Sequence, residues 1–226
     1  MKKIFVLIAA VCMTYTTAFA QTVKPFKEGE RAVFLGNSIT DGGHYHSYIW
    51  LYYMTRFPNM PLRILNGGIG GDTAYDMNKR LDGDIFPMKP SVLMVTFGMN
   101  DSGYFEYNGD NPKEFGEQKY QESIKNYQQM EKRFKDLPDT RIVMVGTSPY
   151  DETVQLKENV PFKTKNETIK RIVEYQKESA AKNNWEFTDL NAPMVALNQQ
   201  NQQKDPAFTL CGSDRIHPDN DGHMVM

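Results

Sequence analysis

Cysteine is nearly absent from this chain: its 226 residues contain two, Cys12 and Cys211. Two cysteines cannot supply the dense disulfide framework of a small stapled scaffold, so a packed core must hold the fold. An excess of either charge is also missing, with 26 Lys+Arg against 28 Asp+Glu and a net charge of −2. So mildly acidic a chain is a poor binder of nucleic acid or anionic membrane. No apolar run reaches the roughly 20 residues needed to span a bilayer. Internal repeats and low-complexity linkers are missing too; the Gln/Asn-rich patch at 198–203 is short and reads as the end of a helix.

The first twenty residues have their own logic. Met1-Lys2-Lys3 gives a charged start, Ile4 to Val11 a short apolar core, and Ala18-Phe19-Ala20 a small-x-small cleavage site. That pattern predicts a secretory signal peptide at 1–20, cut after Ala20, with no stable membrane anchor and a periplasmic or extracellular product of a bacterium. Val11 is a poor match for the residue before a lipidated cysteine, which sets Cys12 aside. Cleavage removes two lysines and no acids, so 26 basic residues become 24 against 28 acidic and the net charge goes from −2 to −4. Cys211 is then the sole cysteine. The remainder, 21–226, has the length of one domain with one core.

Short apolar runs at 32–35, 62–65, 92–97, 142–145 and 185–188 each end in turn residues. Buried parallel strands read this way. Helical patterns at 45–57, 74–81, 113–137 and 163–183 lie between them. The alternation predicts an α/β fold, a flavodoxin-like three-layer sandwich of about five parallel strands with helices on both faces. Ligands of such sheets sit beyond the carboxyl ends of the strands. The unusual polar residues gather there. Gly36-Asn37-Ser38-Ile39-Thr40-Asp41 follows the first strand, Asn66-Gly67-Gly68-Ile69-Gly70-Gly71-Asp72-Thr73 the second, and Gly98-Met99-Asn100-Asp101 the third. Asp214-Arg215-Ile216-His217-Pro218 comes after the fifth strand and a further helix, on a loop able to return to the same rim.

Each piece alone is an ordinary helix start, turn or tight loop. Together they supply the parts of acyl transfer: a nucleophile, a base, a group that orients the base, and donors for an oxyanion. Ser38, on a strand-to-helix turn, is the nucleophile. His217 is the base, and Asp214, three residues before it, accepts the Nδ1 proton. Pro218 restricts His217 to extended backbone. The oxyanion donors are the N–H of Ser38, the N–H of a glycine in the second stretch and the amide of Asn100, each worth roughly 2.7–4 kcal/mol in known cases. The reaction requires no metal or organic cofactor. Of the other histidines, His44 and His46 read as first-turn helix residues rather than metal ligands, and His223 as structural.

Those four blocks resemble the SGNH (GDSL-type) superfamily of serine esterases and lipases. The match spans most of residues 21–226, with Asn37 where the family's first block usually has Asp. The resemblance implies Ser38, Asp214 and His217 as the catalytic triad, and Ser38, Gly71 and Asn100 as the oxyanion hole. Gly71 is preferred over Gly67, Gly68 and Gly70 because it directly precedes Asp72-Thr73. An α/β-hydrolase elbow is disfavoured, since Thr40 stands where its second glycine belongs. The resemblance also implies a C-terminal helix over the sheet, of which the chain up to Met226 holds a few residues.

The substrate is then a small-molecule or polysaccharide ester. Loops 101–112 and 147–161 are long, and the first carries Tyr104, Phe105 and Tyr107 among amides. Long loops at a functional rim shape pockets, and aromatics with amides suit sugar rings. The alternative is that Tyr104 and Phe105 pin their loop to the core. The sequence thus favours an exported carbohydrate O-acetylesterase. A lysophospholipase or thioesterase of the same superfamily is the enzymatic alternative, and a carbohydrate-binding module without turnover the non-enzymatic one.

Overall fold

A computed structural model describes residues 21–157 and 159–226. The expected signal segment 1–20 lies outside the described residues. Among the described residues the sheet is wholly parallel and has six strands: β1 (Gln21–Thr22), β2 (Arg31–Gly36), β3 (Arg63–Gly68), β4 (Val92–Val95), β5 (Arg141–Gly146) and β6 (Glu186–Asp189), in the order β1-β6-β5-β4-β2-β3. Five of these answer to the apolar runs. The sixth, β1, is a two-residue edge pairing Gln21 with Glu186 and Thr22 with Phe187.

Alternation along the central strands builds two cores. Val33, Leu35, Leu93, Val95, Ile142 and Met144 face one side, where α3 (Ala74–Arg80), α4 (Pro112–Lys135) and α5 (Lys165–Asn183) bring Met77, Tyr127, Phe134 and Ile172. Ala32, Phe34, Val92, Met94, Val143 and Val145 face the other, against Tyr45 and Ile49 of α2 (His44–Arg56) and against Met226, which follows α7 (Asn220–Val225). Both faces of each central strand are therefore dry, which is why these strands read as unbroken apolar runs.

Several boundaries differ from the sequence reading. β3 runs on to Gly68, so Asn66-Gly67-Gly68 is strand and not the loop after it. Glycine is required there by close approach. A Cβ on Gly67 would lie 2.9 Å from Ile85 Cδ1, and one on Gly68 would lie 2.3 Å from the backbone N of Asp41. The single turn α1 (Ser38–Asp41) packs directly on the end of β3. β4 stops at Val95, two residues early. The pattern at 74–81 continues past α3 as a π turn (Leu81–Ile85) and a 3-10 turn (Phe86–Met88). A helix α6 (Asn191–Gln202) follows β6, and the Gln/Asn-rich patch is its end.

Setting β1 aside, the order is that of a flavodoxin-like sheet. Its direction of winding reverses between β2 and β4, the place where such sheets leave a crevice beyond their carboxyl ends. Ser38 stands two residues beyond β2, and Asn100 lies on the loop after β4.

Candidate active site

α1 is set by its cap. The buried Asn37 is its N-cap: Oδ1 accepts the N–H of Ile39 at 3.1 Å, and its carbonyl accepts those of Thr40 and Asp41. Asn at this position therefore pins the turn as a capping residue does. It leaves Ser38 as the first helical residue, half-buried. Ser38 Oγ lies 2.8 Å from His217 Nε2, and His217 Nδ1 lies 2.6 Å from Asp214 Oδ2. The Asp214 carboxylate can only accept, so Nδ1 carries the proton and Nε2 is free to accept from the serine hydroxyl. Asp214 Oδ1 also takes the backbone N–H groups of Ile216 and His217, both at 2.9 Å. Its position is thus fixed by its own loop.

The electrostatics match that arrangement. The hydrogen bond that His217 Nδ1 donates to Asp214 raises the His217 pKa above its ordinary 6.5, against partial burial. Burial pushes Asp214 upward, but its hydrogen bonds from the His217 ring and from the backbone outweigh this and hold it below its ordinary value.

The loop that carries both residues is held from beneath. Arg215 is 1% exposed, and its guanidinium donates to the carbonyls of Asp151 (3.0 Å), Val154 (2.8 Å) and Asn159 (2.6 Å). It ties the 214–217 turn to the long 147–161 loop. Gly212 has φ +68°, and a Cβ there would meet His217 O at 2.4 Å, so this turn tolerates only glycine.

The second and third blocks meet opposite. Asn100 Nδ2 donates to the carbonyl of Asp72 at 2.9 Å, and Asn100 Oδ1 accepts from the Tyr104 hydroxyl. A carbonyl accepts only, so these two neighbours fix which end of the amide points where and leave one Nδ2 hydrogen unused. Asp101 is buried, with burial pushing its pKa up; it accepts the N–H groups of Ala74 (2.9 Å) and Gly98 (3.0 Å) and the Ser123 hydroxyl. The N–H groups of Ser38, Gly70 and Gly71 take no acceptor among the described residues. Gly71 has φ +85° with open space at its Cβ position, whereas a Cβ on Gly70 would lie 4.0 Å from that of Ser38. Glycine at 71 is therefore demanded by backbone conformation.

The histidine pair diverges. His46 is buried and its Nε2 meets Thr40 O at 3.1 Å, while the His44 ring stacks on His223 at 4.8 Å. Tyr107 is what pins the 101–112 loop, through Ser102 O and Thr168 Oγ1 at 2.8 and 2.9 Å. Phe105 is 78% exposed and its ring meets that of Phe162 nearly at right angles, 5.6 Å between centroids, so it buries too little to pin the loop. Two supports escaped the sequence reading. Arg80 holds Asp72, Gly36 and Gly67, and the buried Lys165 holds the loop around Asn100.

A family model for GDSL-like lipases and acylhydrolases matches residues 34–225. The chain belongs to the GDSL-like lipase/acylhydrolase family. By family it is a carboxylic ester hydrolase of the SGNH type. An acetylxylan esterase of Geobacillus stearothermophilus is 25% identical over 214 residues, 88% of this chain and 90% of that protein. Among solved structures, a gut microbial diltiazem-metabolizing enzyme superimposes with a TM-score of 0.90 at 84% identity, covering 91% of this chain and 47% of that one. The chain thus spans about half the length of that relative. The crystal structure of Axe2, an acetylxylan esterase from the same Geobacillus, superimposes with a TM-score of 0.67 at 24% identity over 88% of this chain and 91% of the other, a likeness of fold.

Proposed function

We propose that this SGNH hydrolase is an exported serine esterase that releases acetyl groups from O-acetylated carbohydrates. The observation that carries the reading is the continuous relay from Ser38 Oγ through His217 to Asp214, with distances of 2.8 and 2.6 Å. His217 Nε2 takes the Ser38 proton as the hydroxyl oxygen attacks the ester carbonyl. The oxyanion forms against the N–H groups of Ser38 and Gly71 and the free Nδ2 hydrogen of Asn100. Protonated His217 then gives its proton to the departing alcohol, leaving acetyl-Ser38. Water, deprotonated by His217, releases acetate and restores the serine. Asp214 stays ionised throughout and steadies the imidazolium.

The acetyl preference is supported by the acetylxylan esterase relative, and the sugar preference by the exposed ring of Phe105, which offers a stacking face at the rim. A second reading has its own support. Diltiazem is itself an acetate ester with aryl rings, and Phe105 against Phe162 is equally a seat for an aryl-bearing alcohol. Acetate release from acetylated xylooligosaccharides, from aryl-bearing acetates and from p-nitrophenyl esters of rising chain length, measured beside Ser38→Ala, tests both. Serine-dependent release fastest from the acetylated sugars is the expected result. Fastest release from the aryl-bearing acetates selects the second reading. A preference for long acyl chains, or full activity in Ser38→Ala, overturns the proposal.

A further inference from the structure

Lys165 opens α5 and is nevertheless 0% exposed. Its Nζ donates to Met99 O at 2.8 Å, to Ser102 Oγ at 2.6 Å and to Gly103 O. All three partners are acceptors. Two are carbonyls, and the Ser102 hydroxyl gives its own proton to Met99 O at 2.8 Å. Three acceptors match the three N–H bonds of an ammonium. The same Nζ sits 3.9 Å from the centroid of the Tyr104 ring, over its aromatic face, and burial pushes its pKa down to about 7.

These contacts bracket Asn100 on both sides in the chain. Met99 precedes it, Ser102 and Gly103 follow it, and Tyr104 returns its hydroxyl to Asn100 Oδ1. The backbone just ahead of Lys165 is strained to allow this. Thr164, a β-branched residue, is held at φ +69°. The Glu152 carboxylate spans the strained residue, accepting the N–H groups of Thr164 (2.9 Å) and Asn166. This carboxylate holds the strained turn that immediately precedes Lys165, whose side chain meets a loop and not solvent.

We propose that Lys165 and Tyr104 are positioning residues for the Asn100 amide: Lys165 clamps the loop and the Tyr104 ring, and the Tyr104 hydroxyl holds Oδ1 so that the free Nδ2 hydrogen faces the oxyanion. The proposal rests on the reading of Asn100 as an oxyanion donor. It distinguishes Lys165 from a residue that merely braces the fold, because a brace acts on stability and a positioning residue acts through Asn100.

A double-mutant cycle on p-nitrophenyl acetate separates the two. Tyr104→Phe keeps the ring and removes only the hydroxyl, so it remains informative if Lys165→Met fails to fold. Tyr104→Phe is expected to lower kcat by about 5- to 10-fold with KM within about twofold. In an Asn100→Ala background the same change is expected to cost less than about twofold, since the group being positioned is gone. Lys165→Met should follow the same pattern with at least as large a loss. Wild-type kcat in Tyr104→Phe, or an equal loss in both backgrounds, overturns the proposal. A second readout needs no turnover. The side-chain NH2 resonances of Asn100, assigned by their absence in Asn100→Ala, should shift in Tyr104→Phe and Lys165→Met. If the wild-type chain hydrolyses no ester, the esterase reading fails by itself; shifted resonances still support the positioning role, and unshifted ones overturn it.

Discussion

Arg80 Nε donates to Asp72 Oδ2 across 2.6 Å, and both side chains are largely buried. The pair joins three of the chain's polar blocks. The same guanidinium reaches Gly67 O at 2.7 Å and Gly36 O at 3.3 Å, and the carbonyl of Asp72 receives the Asn100 amide. Burial pushes the Asp72 pKa up, against the pull of Arg80. Removing the arginine leaves the buried Asp72 carboxylate unpaired and takes a donor from the carbonyls of Gly67 and Gly36, of which Gly36 keeps the N–H of Ile69 at 3.1 Å. Arg80→Met is therefore expected to cost roughly 3 kcal/mol of stability, measured by urea unfolding. It should also lower kcat, because the Asp72 carbonyl that orients Asn100 is released.

The pH profile follows from His217. The ring must be neutral to accept the serine proton, and its pKa is raised above 6.5 by Asp214. Thus kcat/KM should be low in acid, rise as pH increases through that raised value, and then level off. Asp214→Asn removes the carboxylate that does the raising, so the inflection should move to lower pH. The plateau should fall by roughly 10,000-fold, since the amide no longer enforces the Nδ1-protonated ring. A plateau within tenfold of wild type would remove Asp214 from the relay.

Gly71 and Gly212 should respond differently to alanine, although both lie at positive φ. At Gly71 (φ +85°) a methyl meets nothing within 4 Å, so Gly71→Ala should cost ~1–2 kcal/mol of backbone strain. Its effect on kcat should be larger than that stability loss implies, because the strain is relieved by turning the N–H away. At Gly212 (φ +68°) the methyl would sit 2.4 Å from His217 O, and the loss should exceed ~3 kcal/mol. Paired thermal melts and kinetics on the two variants check the ranking.

Phe105 gives the substrate test that stability cannot confound. At 78% exposure its removal should leave the melting temperature unchanged within about 1 °C. Phe105→Ala should raise KM for acetylated oligosaccharides or aryl-bearing acetates by about tenfold, the worth of one stacking contact. KM for an unadorned alkyl acetate should stay as it was. Equal effects on all three would place the ring outside the substrate's reach.

Legibility tracked burial. Val33, Leu93 and Val143 were readable because a doubly covered strand is apolar at every position. β1 was not, because Gln21 and Thr22 form a strand only by virtue of β6 beside them. Gly67 and Gly68 looked like loop because glycine is rare in strands; their reason is the packing of Ile85 and α1, which no local pattern encodes. At the site, Ser38 and Asn100 were visible in short polar blocks at strand ends and Asp214 and His217 in one on a late loop, and hydrogen bonds join Ser38, His217 and Asp214 in the folded chain. Lys165 and Arg80 were invisible, since a lysine at a helix start and an arginine at a helix end read as solvent-facing charges. Arg215 lay in plain view between Asp214 and His217 without any local sign that its guanidinium would be interior.

The pairing of Gln21 with Glu186 has a consequence for synthesis. The strand nearest the start of the described chain takes its neighbour from the fifth and last strand of the main sheet. While the ribosome adds the residues between, β2, β3 and β4 can associate, but this first segment has nothing to join. Its partner must leave the exit tunnel before that edge of the sheet can close. Any factor that binds this segment on the nascent chain therefore has until the residues of β6 emerge in which to act. Closing so long a loop is also slow compared with forming local hairpins or helices.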